Sequence, residues 1–209
     1  MNEAQIQREE TANVITHGIG LALAILACIY FAVTRDSTLR LVTGLVFGAG
    51  LIFVYFTSTL FHAVRRPRLK LRWRTLDHAA IYVLIASTYT AVLPFAPGGW
   101  SGWILAGVIW AAGLFGIVKK LRMIDTISRV SHLDLVLYIA MGWAWLILAV
   151  PIWNSLTDRG FWWLLAGGLS YTFGTIFFAN DRIPYNHAIW HLFVLGGSIC
   201  HFVMVGWYR

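Results

Sequence analysis

Histidine is the side chain that most readily binds transition metals, and two of the seven in this chain, His187 and His191, stand four residues apart. Residues so spaced on a helix share a face, so His187-x-x-x-His191 can offer two imidazoles to one ion, as zinc sites on helices do. Ser58-x-x-x-His62 repeats the spacing with one histidine, which makes His62 a candidate third ligand from a second helix. Three histidines plus a water is the open coordination of a catalytic zinc, whereas a structural site is closed by a fourth protein ligand. Zinc suits imidazole better than magnesium or calcium does, while copper, nickel and iron accept the same ligand type. Residue 188 is alanine, so the glutamate base of H-E-x-x-H enzymes is missing. Asp77 is then the candidate to orient or deprotonate a metal-bound water. The competing reading makes these histidines interfacial, neutral and hydrogen-bonded to loop backbone.

Such residues act together only if separate elements carry them to one place, and composition says what kind of elements these are. Of 209 residues, 59% are hydrophobic and 12% charged, too little charge to cover a soluble domain. Seven apolar runs stand at about 12–33, 41–64, 77–94, 101–118, 132–150, 161–179 and 187–207. Each approaches the roughly 20 residues that cross a bilayer. Pro97, Gly98 and Gly99 interrupt helix between the third and fourth runs, so two spans are expected there. The expectation is an all-α membrane protein, a seven-transmembrane-helix bundle forming one domain over residues 1–209. Glu3, Glu9 and Glu10 against Arg8 are the wrong charge for a signal peptide, so the first run should be retained. Cys28 and Cys200 lie inside apolar runs and read as small buried hydrophobes. Trp100, Trp103, Trp153, Trp162, Trp163 and Trp207 fall near run ends and read as interface anchors.

A formal charge of +7 would suggest nucleic acid in a soluble protein. Here the basic residues fall between apolar runs, which points to membrane orientation and anionic lipid, with no nucleic-acid partner. With the N-terminus cytoplasmic, Arg8, the Arg65–Arg74 segment, Lys119, Lys120, Arg122, Arg129 and Arg182 lie inside. They make twelve of the sixteen Lys and Arg; Arg35, Arg40, Arg159 and Arg209 lie outside. That bias predicts an inside N-terminus and an outside C-terminus. The Arg65–Arg74 loop should rest on the inner leaflet and attract anionic headgroups.

Under this topology His17, His62, Asp77, His78, His132, Asp134, His187 and His191 all fall at cytoplasmic helix ends. His201 alone lies in the outer half. Glu10, Asn13 and His17 share a face at the entry to the first helix and suit capping and interhelical hydrogen bonds. His132 and Asp134 are expected to cap the fifth helix. His78 points about 100° away from Asp77, so the two are not expected at one site. His201 lies roughly 15 Å beyond His191, where it can either line the same cavity or serve as a hydrogen-bonded packing residue.

Glu10-Thr-Ala-Asn13-Val-Ile-Thr-His17-Gly, Ser58-x-x-x-His62, Asp77-His78 and His187-x-x-x-His191 together resemble the hemolysin III family. That family is the bacterial branch of the progestin and adipoQ receptors, related to alkaline ceramidases, which share a Ser, Asp and three-His arrangement. The resemblance covers essentially the whole chain. It implies seven helices with the N-terminus inside and Zn2+ on His62, His187 and His191, with Asp77 and Ser58 around the zinc-bound water. It also implies a multi-pass protein of the bacterial plasma (inner) membrane. The short outward loops hold no ectodomain for a protein hormone, and the composition has no soluble state for a secreted toxin. The expected function is zinc-dependent hydrolysis of a lipid amide or ester, with membrane lipid as substrate or ligand. The alternatives are a non-enzymatic membrane-lipid sensor with structural zinc, and a channel or cytolysin.

Overall fold

In hydrocarbon a backbone must satisfy its own polar groups segment by segment, which favours helices. The computed structural model describes residues 2–34, 36–93, 100–124, 131–180 and 182–207, and it holds no strand among them. The helices are α1 (Glu3–Val33), α2 (Thr38–Ala63), α3 (Pro67–Val92), α4 (Trp100–Leu121), α5 (His132–Trp143), α6 (Ala149–Ser155), α7 (Asp158–Phe178) and α8 (Asn186–Trp207). A short 3₁₀ stretch, Ala144–Leu148, joins α5 to α6. The turn expected at Pro97, Gly98 and Gly99 lies outside the described residues.

Among the described residues, six stretches are long and apolar enough to cross a membrane: α1, α2, α4, α5 through α6, α7 and α8. Large apolar side chains such as Trp100, Ile104, Ile147 and Val150 face outward, which suits a protein whose solvent is lipid. Trp103, Trp153, Trp162 and Trp207 are exposed as anchors should be. Cys28 and Cys200 are free thiols, each partly buried.

Two helices begin earlier than hydropathy suggests, because hydropathy finds only their apolar part. α1 starts at Glu3, where the Asn2 side-chain oxygen accepts the Gln5 N–H at 2.8 Å and caps the helix. His17 therefore sits midway along α1, not at its start. α3 starts at Pro67, a residue suited to a first helical turn. The expected basic loop Arg65–Arg74 is thus mostly helix, and Asp77 and His78 lie almost three turns into it.

α3 is the helix on which the others are arranged, packing against α2, α4, α5 and α8. Ala80, Tyr82, Ala86 and Ala91 on it are wholly buried. Gly116 of α4 admits the Tyr82 ring, because any Cβ there would collide with the ring carbons. The Tyr82 hydroxyl donates to Asp134 at 3.0 Å. Asp134 completes a capping box with Ser131, as expected for this helix start. It also pairs with the buried Lys120 at 2.6 Å and with Lys119 at 3.2 Å. His132, by contrast, is exposed at the first turn. At the other end of α5, the Tyr89 hydroxyl donates to the Met141 carbonyl at 2.6 Å and accepts the Trp145 N–H at 2.9 Å. One side chain thereby satisfies backbone groups on both sides of the step into the 3₁₀ stretch.

Candidate metal centre

The end of α2 and the first turns of α8 meet beside α1. The chain enters α8 through Tyr185, whose φ of 57° is unusual for a bulky side chain. Its N–H donates to the Glu9 carboxylate at 3.2 Å, which ties this bend to α1. The first two turns of α8 then carry His187 and His191, with ring centroids 4.6 Å apart. His62 of α2 lies 4.9 Å from His187 and 5.1 Å from His191 by the same measure. One nitrogen from each ring lies within 4.8 Å of the others. A metal at the roughly 2.0–2.1 Å of zinc–imidazole bonds would draw them slightly together. The three residues that spacing singled out therefore do converge, from two helices, and among the described residues they form a group able to hold a metal ion.

The surrounding hydrogen bonds set which nitrogens face the centre. The His62 Nδ1 lies 2.7 Å from Glu10 Oε2. An ionised carboxylate only accepts, so the proton sits on Nδ1 and Nε2 presents its lone pair. Lys70 holds the other oxygen of Glu10 at 2.8 Å. On α8, His191 Nδ1 lies 3.0 Å from Thr16 Oγ1. The Thr16 hydroxyl hydrogen is directed to the Ala12 carbonyl at 2.9 Å, so its oxygen accepts the Nδ1–H. His191 Nε2 is likewise left for a ligand role. His62 Nε2 and His187 Nε2 are buried with no hydrogen-bond partner in the protein. Unpartnered imidazole nitrogens at the meeting point of three rings are the donor set a zinc ion uses.

These contacts were not legible as such in the sequence. Glu10, Asn13 and His17 do share one face of α1; they cap no helix, but Glu10 makes the expected interhelical hydrogen bond, to His62 of α2. Glu10 orients His62, and Asn13 Nδ2 approaches the same His62 nitrogen at 3.4 Å. His17 forms no hydrogen bond; it stacks on His191 with centroids 3.4 Å apart and 12° between planes. The spacing of Glu10 one turn before Asn13, beside a histidine helix, was the available signal.

Asp77 and Ser58 are buried next to the histidines. Ser58 Oγ lies near enough to Asp77 to influence it, and it is buried with no hydrogen-bond partner. Asp77 is not one of the three-membered ligand group. Both residues line a cavity of about 120 Å³ shared with His187 and His191, many times the ~10–15 Å³ that one water-sized sphere needs. His78 lines it too, contrary to the expectation that it and Asp77 face different sites. The α3 residues that line it, Asp77, His78, Ile81, Leu84, Ile85 and Thr88 among them, form one broad helix face, wide enough to include two positions about 100° apart. From there it runs between α3, α5, α7 and α8 past Ile81, Ile85 and Trp143 to His201.

With this geometry in view, the relatives are informative. The chain matches the Haemolysin-III related family over residues 5–202. It belongs to the haemolysin III family. Hemolysin-3 of Bacillus cereus is 42% identical over 207 residues, covering 98% of this chain and 93% of that protein. The hemolysin-3 homolog of Bacillus subtilis is 41% identical over 204 residues, covering 96% and 94%. The human monocyte to macrophage differentiation factor is similar at 29% over 203 residues, covering 94% and 83%. This haemolysin III protein is thus a multi-pass membrane protein, and its three-histidine group lies within the matched region.

The Glu10 contact makes a direct prediction. Removing a carboxylate that orients a ligating histidine typically weakens metal binding 10–100-fold. Glu10→Ala should show a loss of about that size in competition with a chromophoric zinc chelator, and Glu10→Gln, which keeps an acceptor oxygen, a smaller one. Unchanged affinity in Glu10→Ala would mean that His62 is held by something else.

Proposed function

We propose that this haemolysin III protein is a zinc-dependent hydrolase of a lipid amide or ester, acting near the cytoplasmic face of a seven-span bundle. The observation that supports this best is that two members of the three-histidine group, His187 and His191, open onto an apolar cavity in which, among the described residues, Asp77 is the sole carboxylate. His62, His187 and His191 would hold the ion. Bound zinc would serve as a Lewis acid that polarises the carbonyl and lowers the pKa of water toward ~7. Asp77 accepts the proton of the attacking water as its oxygen adds to the carbonyl carbon. As the C–N or C–O bond breaks, the same carboxyl returns that proton to the departing amine or alkoxide. Ser58 beside it steers the carboxylate. The apolar walls take the acyl chain and keep bulk water from the reaction. The name of the Bacillus cereus relative suggests lysis, yet a conducting path needs a continuous polar lining, and the surface of this cavity is mainly apolar.

In this reading α3 is the seventh span. Its polar first turns reach the headgroups, and its buried middle needs few lipid-facing side chains because neighbouring helices surround it. The excess of Lys and Arg on one set of connections supports an inside N-terminus, in a protein we assign to the bacterial plasma (inner) membrane. The exposed Arg65, Arg66 and Arg68 would meet anionic headgroups there. A reporter fused after Arg209 should be active only outside the cytoplasm. Periplasm-type activity from a fusion within the Arg65–Arg74 segment would reverse the topology.

The function itself is tested with zinc-loaded, detergent-purified protein and a panel of N-acyl and O-acyl lipids, following fatty-acid release by mass spectrometry. Release that a chelator stops and zinc restores is the expected result. No release from any member of the panel at full zinc occupancy would leave the metal as a staple in a non-enzymatic lipid sensor.

A further inference from the structure

Two helical glycines line the cavity where the protein itself does not require a glycine. Glycine destabilises a helix relative to alanine, and a helix keeps one chiefly where a neighbour needs the room or where φ is positive. Gly116 and Gly167 show the first case, since a Cβ on either would collide with the ring of Tyr82 or of His201. Gly142 of α5 and Gly168 of α7 show neither. A Cβ on Gly142 would meet no atom within 4 Å. One on Gly168 would have the Trp143 ring as its nearest neighbour at 3.7 Å, an ordinary contact, and neither glycine has a left-handed φ.

The open space beside them is the cavity. On α5 its lining residues are Leu135, Tyr138, Ile139, Gly142 and Trp143, one helix face with Gly142 near its middle. On α7 they are Gly168, Tyr171, Thr172, Thr175 and Phe178, again one face that includes its glycine. Both glycines are half-buried, not sealed from the cavity. A second pocket of about 30 Å³ lies past them, beside Val92, Leu93, Trp145 and Leu164. Thr88, Tyr89, Gly142, Gly168 and His201 line both spaces and so form a belt between them. The three larger side chains of this belt are held in place. Thr88 donates to the Leu84 carbonyl at 2.8 Å, Tyr89 to the Met141 carbonyl, and His201 Nε2 lies 3.3 Å from the Leu164 carbonyl oxygen. The glycines put no side chain across what remains.

We propose that the gap left by Gly142 and Gly168 is a passage for the lipid's acyl chain, which sets the preferred acyl group at about fourteen to sixteen carbons. The inference rests on the reading of the cavity as the lipid site. With the acyl carbonyl at the histidines, the belt stands ~15 Å away, the rise from His191 to His201 along α8 and about the reach of twelve extended carbons. The small pocket adds room for two or three water-sized groups at ~10–15 Å³ each. It ends against Leu93 and Leu164, both buried. A shorter chain leaves that pocket empty, and a longer one meets its wall.

The test is equilibrium binding of radiolabelled decanoate and hexadecanoate to the full-length, zinc-loaded protein in a single detergent. Gly142→Leu fills the belt from α5 without a clash at its Cβ. Forcing a chain into filled space weakens binding by about 5- to 150-fold. Hexadecanoate should lose affinity in that range, while decanoate, which stops short of the belt, binds as before. Gly107→Leu adds the same side chain on the exposed side of α4, where a Cβ also meets nothing, and should change neither acid. Unchanged hexadecanoate binding in Gly142→Leu, or an equal loss for both acids, overturns the passage while leaving the lipid cavity standing. Binding of neither acid to the natural protein rejects the lipid cavity itself, and the passage with it. If Gly142→Leu fails to fold, Gly168→Val narrows the same belt from α7 and is read in the same way.

Discussion

Protein purified from zinc-supplemented cells should carry about one zinc per chain, and His62→Ala, His187→Ala and His191→Ala should each reduce this to near zero. The expectation follows from the convergence of three imidazoles whose ligand nitrogens lie within 4.8 Å of one another. With three protein ligands, loss of any one leaves only two, too few to hold the ion against a chelator. His17→Ala is the informative control. His17 stacks on His191 without belonging to the ligand group, so its removal should leave the metal in place. Elemental analysis after dialysis against a mild chelator reads all four variants. Full occupancy in the His187→Ala His191→Ala double variant would show that the ligands lie elsewhere. Thermal stability should follow the metal, since an ion bound only to the folded state at a hundredfold over its Kd adds about 2.7 kcal/mol.

Asp77→Asn should separate metal binding from chemistry. Asp77 lines the cavity beside the histidines but is not one of the ligand group. An amide can still hydrogen-bond a water, so most of the zinc should remain. The amide cannot take up a proton, and loss of a general base typically costs 10²–10⁴-fold in rate. The variant should therefore keep near-full zinc while fatty-acid release falls below detection. Ser58→Ala removes only a hydroxyl beside that carboxylate and should cost about tenfold or less. If Asp77→Asn loses zinc as completely as the histidine variants, the aspartate is a direct ligand. The site is then closed, and the sensor reading displaces the hydrolase.

What could be read from the sequence tracks the range of the interactions involved. His187 and His191 are one turn apart on a single helix, so their shared face follows from spacing alone, and the apolar runs locate most helices. The start of α3 was hidden because Arg68, Lys70, Arg72 and Arg74 depress hydropathy over its first turns, although Pro67 marks it. Glu10 was visible as a polar residue on the His17 face, but its contact with His62 joins positions 52 apart in the chain, and no local pattern encodes that. Lys120 offered still less: a lysine near a helix end ordinarily reaches water or headgroups, and only the folded structure shows it turned inward onto Asp134. His201 was expected either to line the cavity or to pack with a hydrogen bond. It does both, lining the cavity while its Nε2 lies 3.3 Å from the Leu164 carbonyl oxygen.

Tyr89 has a geometric consequence that reaches beyond the bonds it makes. A 3₁₀ stretch advances about 120° per residue where an α-helix advances about 100°, so five such residues rotate the downstream helix by roughly 100°. The tyrosine hydroxyl clasps the start of that stretch, and so acts as the gear between the two halves of the fifth run. It decides that Trp145 turns inward at 4% exposed while Ile147 turns outward at 78%. A phenylalanine there would leave the Trp145 N–H without its acceptor, in surroundings with no water to replace it, while the Met141 carbonyl keeps the Ala144 N–H. The cheapest repair is continuous α-helix, which would re-index every side chain from Ala144 to Ser155 and change the wall that Trp145 gives to a small pocket beside His201.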